Sequence, residues 1–138
     1  MFELGTRSKQ RLQGVDGRLA KVVERAIQIT PVDFTVIEGL RTKERQAELY
    51  AQGRTKPGKI VTWTMKSKHI DGLAVDIAPI NSDGSIDWND FGKFKQISNA
   101  MFEAAKELNV NLRWGADWKQ NGTPREKGES DSPHFELG

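Results

Sequence analysis

The sequence predicts a single α+β domain. Two kinds of pattern alternate along it: segments whose apolar residues recur every three or four positions, as on one face of a helix, and short apolar or β-branched runs typical of strands. The chain has 138 residues, of which 36% are hydrophobic and 29% charged. These values suit one compact core with a well-solvated surface, and the sequence contains no internal repeat. We therefore expect one domain over residues 1–138.

The first predicted helix covers residues 6–29, in which the apolar side chains are spaced by three and four positions. Gly14 and Gly17 weaken the first half of this segment, so a break is expected there. Pro31 ends the helix, because the residue before a proline avoids the helical conformation. Residues 33–39, DFTVIEG, are rich in β-forming residues and predict the first strand.

A second helix is predicted over residues 42–53, begun by a threonine and ended by a glycine. Residues 54–66 contain proline and glycine without clean periodicity, and they predict a long loop. The run LAVDIAPI, residues 73–80, is mostly apolar and predicts a buried second strand. Turn chemistry follows at Asp83-Gly84.

The third predicted helix begins at Asn89 or Asp90, either of which can cap it. Residues 111–114, NLRW, and residues 134–137, HFEL, predict two further strands, and the polar residues 115–131 between them predict another long loop. Long loops in a small domain are usually functional or disordered. Because both long loops lead into a histidine-bearing segment, we expect them to serve function.

Charge and composition remove several classes of function. The net charge of +2, from 21 basic and 19 acidic residues without a basic run, argues against a nucleic-acid-binding protein. The chain lacks cysteine, so any metal site must use nitrogen and oxygen ligands. The N-terminus lacks the apolar core of a signal peptide, and no apolar run is long enough for a membrane span. Synthesis in the cytoplasm is therefore expected.

His69, Asp76 and His134 form a candidate metal site. Two imidazoles and one carboxylate suit Zn²⁺ and leave a fourth position open, as in hydrolytic zinc sites. A histidine taken alone is more often a surface or satisfied core residue. Asp76 is harder to dismiss, since it lies between Val75 and Ile77 in an apolar strand. A buried carboxylate needs a partner, and a metal or an arginine could supply it.

Two motifs together resemble the zinc-binding motifs of the D-Ala-D-Ala and L-alanyl-D-glutamate peptidase family. They are SKHIDGLAVD, residues 67–76, and DSPHFE, residues 131–136. The segment EGLRT, residues 38–42, followed by Gln46, resembles the early substrate-binding segment of that family, and RWGADW, residues 113–118, fits its endolysin branch. The order and spacing of these motifs and the length of the chain are most similar to those of single-domain phage endolysins with L-alanyl-D-glutamate peptidase activity.

This resemblance implies a role for each matching residue. His69, Asp76 and His134 would bind one Zn²⁺ ion, and Asp131 would be the general base. Arg41 would bind substrate and assist catalysis, because a guanidinium can hold a carboxylate or stabilise an oxyanion. Taken without the resemblance, Arg41 could equally be a surface arginine flanking a helix.

The remaining motif positions divide into contact and packing roles. Ser67 and Gln46 are implied to bind substrate, although Ser67 could simply be a turn residue. Gly72 and Ala74 are interpreted as small residues required by a tight turn and a close approach. Glu136 could orient a ligand histidine.

The acidic residues of the loop 115–131 leave alternatives open. Without the motif, Asp131 could not be preferred over Glu129 as the base. Some related endolysins carry calcium in this loop, but here basic residues are interspersed and closely spaced aspartates are lacking, which argues against calcium. The oxygen donors that the loop offers are Asp117, Asn121, Glu126 and Glu129.

The resemblance also implies a fold and a function. The fold would be that of hedgehog and D-Ala-D-Ala peptidases, a small antiparallel sheet flanked by helices, in one catalytic domain without a separate wall-binding domain. The function would be zinc-dependent hydrolysis of the L-alanyl-D-glutamate bond of peptidoglycan by a monomeric endolysin, released to the wall by a holin. The alternatives are a D-Ala-D-Ala carboxypeptidase or dipeptidase, and a non-catalytic cell-wall-binding module.

Overall fold

The computed structural model of the protein describes residues 1–60, 62, 67–126 and 131–138. Over these residues its strands form one antiparallel sheet in the order β1-β2-β4-β3. The predicted α+β fold, a small antiparallel sheet flanked by helices, is therefore confirmed. In chain order the elements are α1 (Thr6–Arg11), α2 (Gly17–Ile29), β1 (Phe34–Glu38), α3 (Lys43–Ala51), β2 (Ala74–Pro79), α4 (Phe91–Glu107), β3 (Leu112–Gly115) and β4 (Asp131–Leu137).

The predicted helix boundaries agree with the structure where capping residues mark them. The break in the first predicted helix is present, with Gly14 in the left-handed region at φ +83°. Thr42 caps α3 by accepting a hydrogen bond from the backbone N–H of Arg45, at 3.0 Å. Asp90 caps α4 in the same way, accepting from Lys93 at 3.2 Å. Side-chain acceptors at helix starts satisfy otherwise unpaired backbone donors, which explains why these starts were predictable.

The two long loops differ in how much of them the structure describes. Residues 54–60 form turns without a helix, and residues 61 and 63–66 lie outside the described part of the chain, as do residues 127–130. The last strand begins at Asp131, earlier than the predicted start at residue 134. Pro133 does not interrupt this strand, because it lies outside the regular pairings of β4 and its missing N–H breaks no ladder bond.

The core lies on one face of the sheet. There α2 packs against α4, and α4 packs against the sheet. Because side chains alternate along a strand, β2 buries Val75 and Ile77 in this core and β4 buries Phe135. Asp76 and His134 consequently project from the opposite face. Among the described residues, no helix is both long and apolar enough to cross a membrane.

The short helix α1 completes the outer edge of the sheet. β1 is an edge strand, whose outward backbone groups need partners. Ser8 accepts a hydrogen bond from the Val36 N–H at 2.9 Å, and Arg11 donates to the Val36 carbonyl at 2.8 Å. The N-terminal segment, which the motif resemblance did not reach, is thus part of the fold.

Gly72 is a position where a side chain should be costly. It has φ +72°, and a Cβ placed there would lie 2.5 Å from the Gly14 carbonyl oxygen. Gly84 is a matched control, since it has φ +88° but open space around the position of a Cβ. We expect Gly72→Ala to lower the free energy of unfolding by about 1–3 kcal/mol more than Gly84→Ala, measured by urea denaturation. Equal losses in the two variants would show that the contact with Gly14 is easily relieved.

Candidate active site

The turn and the two inner strands bring His69, Asp76 and His134 together. His69 lies in the turn after Ser67, and its carbonyl accepts a hydrogen bond from the backbone N–H of Arg41 at 2.9 Å. Asp76 on β2 is paired directly with His134 on β4. The Asp76 Oδ1 atom lies 3.3 Å from His69 Nε2 and 3.3 Å from His134 Nδ1. One ligand atom from each residue lies within 4.8 Å of the others, which is suitable for one metal ion.

Hydrogen bonds on the far side of each ring select the nitrogen that faces this point. His69 Nδ1 lies 2.9 Å from the Gly39 carbonyl oxygen, which can only accept, so Nδ1 carries the proton. His134 Nε2 lies 2.8 Å from a carboxylate oxygen of Glu136 and is protonated for the same reason. Among the described residues, the buried atoms His69 Nε2 and Asp76 Oδ1 have no hydrogen-bond partner. Buried orphan acceptors that converge on one point fit a bound cation.

The ionisable side chains of the site strongly shift one another's pKa values. Burial raises the pKa of Asp76, but interactions with His134 and His69 outweigh it and hold that pKa well below its ordinary value. Burial lowers the pKa of His134, but Asp76 and Glu136 raise it to about 9. In the metal-free protein at neutral pH, a proton on His134 therefore balances the negative charge of the half-buried Asp76 carboxylate. A metal ion that binds at this point must displace that proton.

Asp131 lies at the rim of the same point. Its Oδ2 atom is 3.9 Å from His134 Nδ1, and its side chain is 56% exposed. Crowding by protein atoms and the negative charge of Asp76 raise the pKa of Asp131 above its ordinary value. A carboxylate that is open to solvent and next to a candidate metal position can exchange protons with a reacting water.

Arg41 is held in place by the polar groups around it. The Nε–H group of its guanidinium donates a hydrogen bond to the carboxylate of Glu38. The Nη1–H group donates a second one to Gln46 Oε1, at 2.8 Å. Nη2 lies 3.9 Å from Asp76 Oδ2. Gln46 is fully buried, and its amide nitrogen donates to the hydroxyl of Thr62 at 3.3 Å. Gln46 therefore orients Arg41, and its predicted contact with substrate stays a prediction.

These residues surround a cleft of about 440 Å³. Ser67, one of the predicted substrate-binding residues, lines it and accepts a hydrogen bond from the His69 N–H at 3.2 Å. Lys68 also lines the cleft, although the sequence predicts no role for it. The only sequence feature that points to Lys68 is its position next to His69. The cleft is lined by Glu38, Arg41, Leu49, Thr62, Ser67, Lys68, His69, Asp76, Trp118, Asp131, His134 and Glu136.

The described oxygen donors among those considered for calcium form hydrogen bonds within their own loop. Asp117 accepts from the backbone N–H groups of Asn121 and Gly122, at 3.3 and 3.0 Å. The Asn121 amide donates to Glu126. Glu129 lies outside the described residues. The side chains of Asp117, Asn121 and Glu126 therefore take part in hydrogen bonds within the loop itself.

The whole chain, residues 1–138, matches the family model described as phage L-alanyl-D-glutamate peptidase. The chain belongs to this family. It is 39% identical over 139 residues to the L-alanyl-D-glutamate peptidase of Escherichia phage T5, a match that covers 99% of this chain and 98% of that protein. It is 40% identical over 114 residues to the peptidoglycan L-alanyl-D-glutamate endopeptidase CwlK of Bacillus subtilis, covering 77% of this chain and 61% of CwlK. The predicted family is confirmed, and with it the predicted class of enzyme, a peptidase.

Solved structures support the same family. The L-Ala D-Glu endopeptidase ChiX of Serratia marcescens has a TM-score of 0.78 and 32% identity, covering 96% of this chain and 87% of that one. The vancomycin-resistance D,D-dipeptidase VanXYg, solved with a D-Ala-D-Ala phosphinate analogue, has a TM-score of 0.53 and 17% identity. The match covers 89% of this chain and 50% of the VanXYg chain. At that identity the likeness to VanXYg concerns the fold alone, so it does not favour the dipeptidase alternative.

Proposed function

We propose that the protein is a zinc-dependent endolysin peptidase that hydrolyses the L-alanyl-D-glutamate bond of peptidoglycan stem peptides. The observation that carries this proposal is the convergence of His69, Asp76 and His134 beside Asp131 in one cleft. The names of the full-length relative from phage T5 and of ChiX support the choice of bond. Two nitrogens and one carboxylate oxygen, in a chain without cysteine, favour zinc among the common metals.

The chain's own residues divide the chemistry between them. When bound by His69, Asp76 and His134, zinc supplies Lewis acidity to the substrate carbonyl and the attacking water. Asp131 accepts the proton of the attacking water and delivers it to the leaving amine of D-glutamate, so that the peptide C–N bond breaks as the new C–O bond forms. Arg41, oriented by neighbouring polar groups, is placed to pair with a substrate carboxylate or the developing oxyanion.

Digestion of purified muropeptides, analysed by mass spectrometry, tests this proposal. We expect fragments cut between L-alanine and D-glutamate, loss of cutting after a chelator is added, and recovery with zinc but not with magnesium. Removal of terminal D-alanine alone would instead support the carboxypeptidase or dipeptidase alternative. Binding to sacculi without any cut, with zinc present, would support the non-catalytic wall-binding module.

We further propose that residues 1–138 act as one catalytic domain and as a monomer. The described apolar side chains form one core cluster, which supports a single folding unit. From the resemblance to phage endolysins we infer synthesis in the host cytoplasm, followed by release to the wall through a holin. Expression with and without a holin in a bacterial host tests the route: lysis should require both proteins, and lysis without the holin would contradict it.

A further inference from the structure

An ion pair and its hydrogen bonds connect the two histidine-bearing segments. One carboxylate oxygen of Glu136 lies 2.8 Å from His134 Nε2, and the other lies 2.9 Å from Lys68 Nζ. Lys68 Nζ also donates to the carbonyl of Leu137 at 2.8 Å. Arg113 on β3 is more distant, 3.9 Å from Glu136. Lys68 is therefore the cation that anchors the carboxylate touching His134.

The position of this pair in the fold gives it a specific relation to the metal site. Lys68 immediately precedes His69 in the turn, while Glu136 follows His134 on the same face of β4. Glu136 is only 7% exposed, so its carboxylate needs compensation for the lost hydration. The ammonium group of Lys68 and the Nε2–H group of His134 supply that compensation, one at each carboxylate oxygen.

An imidazole can offer either ring nitrogen to a metal, and the partner of the other nitrogen decides which. We propose that Lys68 and Glu136 act as a positioning pair, in which Lys68 holds the Glu136 carboxylate against His134 Nε2 and thereby makes Nδ1 the metal-binding atom. The inference rests on the proposed function for the presence of a metal. It goes beyond that function because it assigns Lys68, which lines the cleft, to metal affinity rather than to substrate contact.

The zinc dissociation constant, measured by competition with a chromophoric chelator, tests the pair. We expect Glu136→Gln to weaken zinc binding by about 10- to 100-fold, the usual effect of losing an outer partner of a ligand histidine. Lys68→Met should weaken it in the same direction by a smaller factor. In the Glu136→Gln background, Lys68→Met should add little, because Lys68 acts through Glu136. Glu107→Gln is the matched control, since it removes a carboxylate paired with Arg25 at 2.7 Å on the helical surface.

A second readout reports the ring itself. In zinc-loaded wild type, ¹⁵N NMR of His134 should show a protonated Nε2 and a metal-bound Nδ1, and Lys68→Met should broaden or shift the Nε2–H signal. Circular dichroism of the metal-free variants checks folding. If Glu136→Gln does not fold, Lys68→Met carries the test alone, because the Lys68 side chain is 40% exposed.

The other possible results for zinc affinity and KM would each contradict a different part of the proposal. Zinc binding by Glu136→Gln and Lys68→Met as tight as by Glu107→Gln would overturn the positioning pair while leaving the proposed function intact. Fully additive effects in the double variant would show that Lys68 does not act through Glu136. A raised KM in Lys68→Met with unchanged zinc affinity would assign Lys68 to substrate. A wild-type protein that bound no zinc would overturn the proposed function itself.

Discussion

Replacing Asp131 with asparagine is expected to lower kcat by about 10²- to 10⁴-fold while the protein keeps its zinc. Asparagine preserves the size of the side chain and one oxygen acceptor, but it cannot accept a proton near neutral pH. Asp131 lies 3.9 Å from His134 Nδ1 at the open rim of the cleft, where it can reach a reacting water without serving as a ligand. The variant should therefore separate proton transfer from metal binding.

Turnover of muropeptides and zinc content, measured on the same preparations, check this result. Asp71→Asn is the matched control, because it removes an exposed carboxylate two residues after His69. The control should keep both activity and zinc. If Asp131→Asn retained more than about a tenth of wild-type kcat, Asp131 would not be the base. Glu129→Gln would then be the informative variant, since Glu129 was the alternative that the sequence left open.

The candidate metal-ligand group was predicted from one unusual aspartate together with the motif resemblance, but its geometry could not be predicted. An aspartate between Val75 and Ile77 already signals a buried carboxylate that needs a partner. Its neighbour is His134 only because β4 lies between β2 and β3 in the sheet. Alternating side chains reveal which residues share a face of one strand, but they do not reveal which distant strand lies beside it.

Other parts of the site left no signal because backbone groups and short polar segments form them. The proton of His69 Nδ1 goes to the carbonyl of Gly39, a contact that no side-chain pattern encodes. Ser8 and Arg11 on α1 satisfy the backbone of Val36, although α1 is too short to show an apolar stripe. The motif resemblance began after this segment, whereas the family match covers it. Lys68 leaves no signal in the sequence because its proposed role depends on Glu136, which lies next to it only after β2 and β4 pair.

Replacing Asp76 with asparagine is expected to weaken zinc binding by more than about 100-fold, because losing only an outer partner of a ligand already costs about 10- to 100-fold. Activity at trace zinc should fall to background. Asp33→Asn is the matched control. Within the described part of the chain, Asp33 also has a buried carboxylate oxygen that lacks a hydrogen-bond partner, but it lies before β1 and outside the ligand group. Competition with a chelator measures both affinities, and zinc binding by the Asp76 variant as tight as by the control would contradict the ligand assignment.

The metal-free Asp76→Asn protein provides an independent check. The pKa of His134 is about 9 because Asp76 and Glu136 together outweigh burial. Burial lowers the pKa of His134, and without the Asp76 charge less remains to raise it. The His134 pKa should therefore fall, which an NMR titration of the ring would measure. Because the folded-state pKa is raised above the ordinary value, this proton stabilises the wild-type apo protein below about pH 6.5, and the stabilisation is lost as pH rises through about 9. The variant should lose the part of this pH dependence that Asp76 supplies, while Glu136 keeps the remainder. Excess zinc should partly restore activity to Asp76→Asn, whose defect is affinity, but not to Asp131→Asn, whose defect is proton transfer.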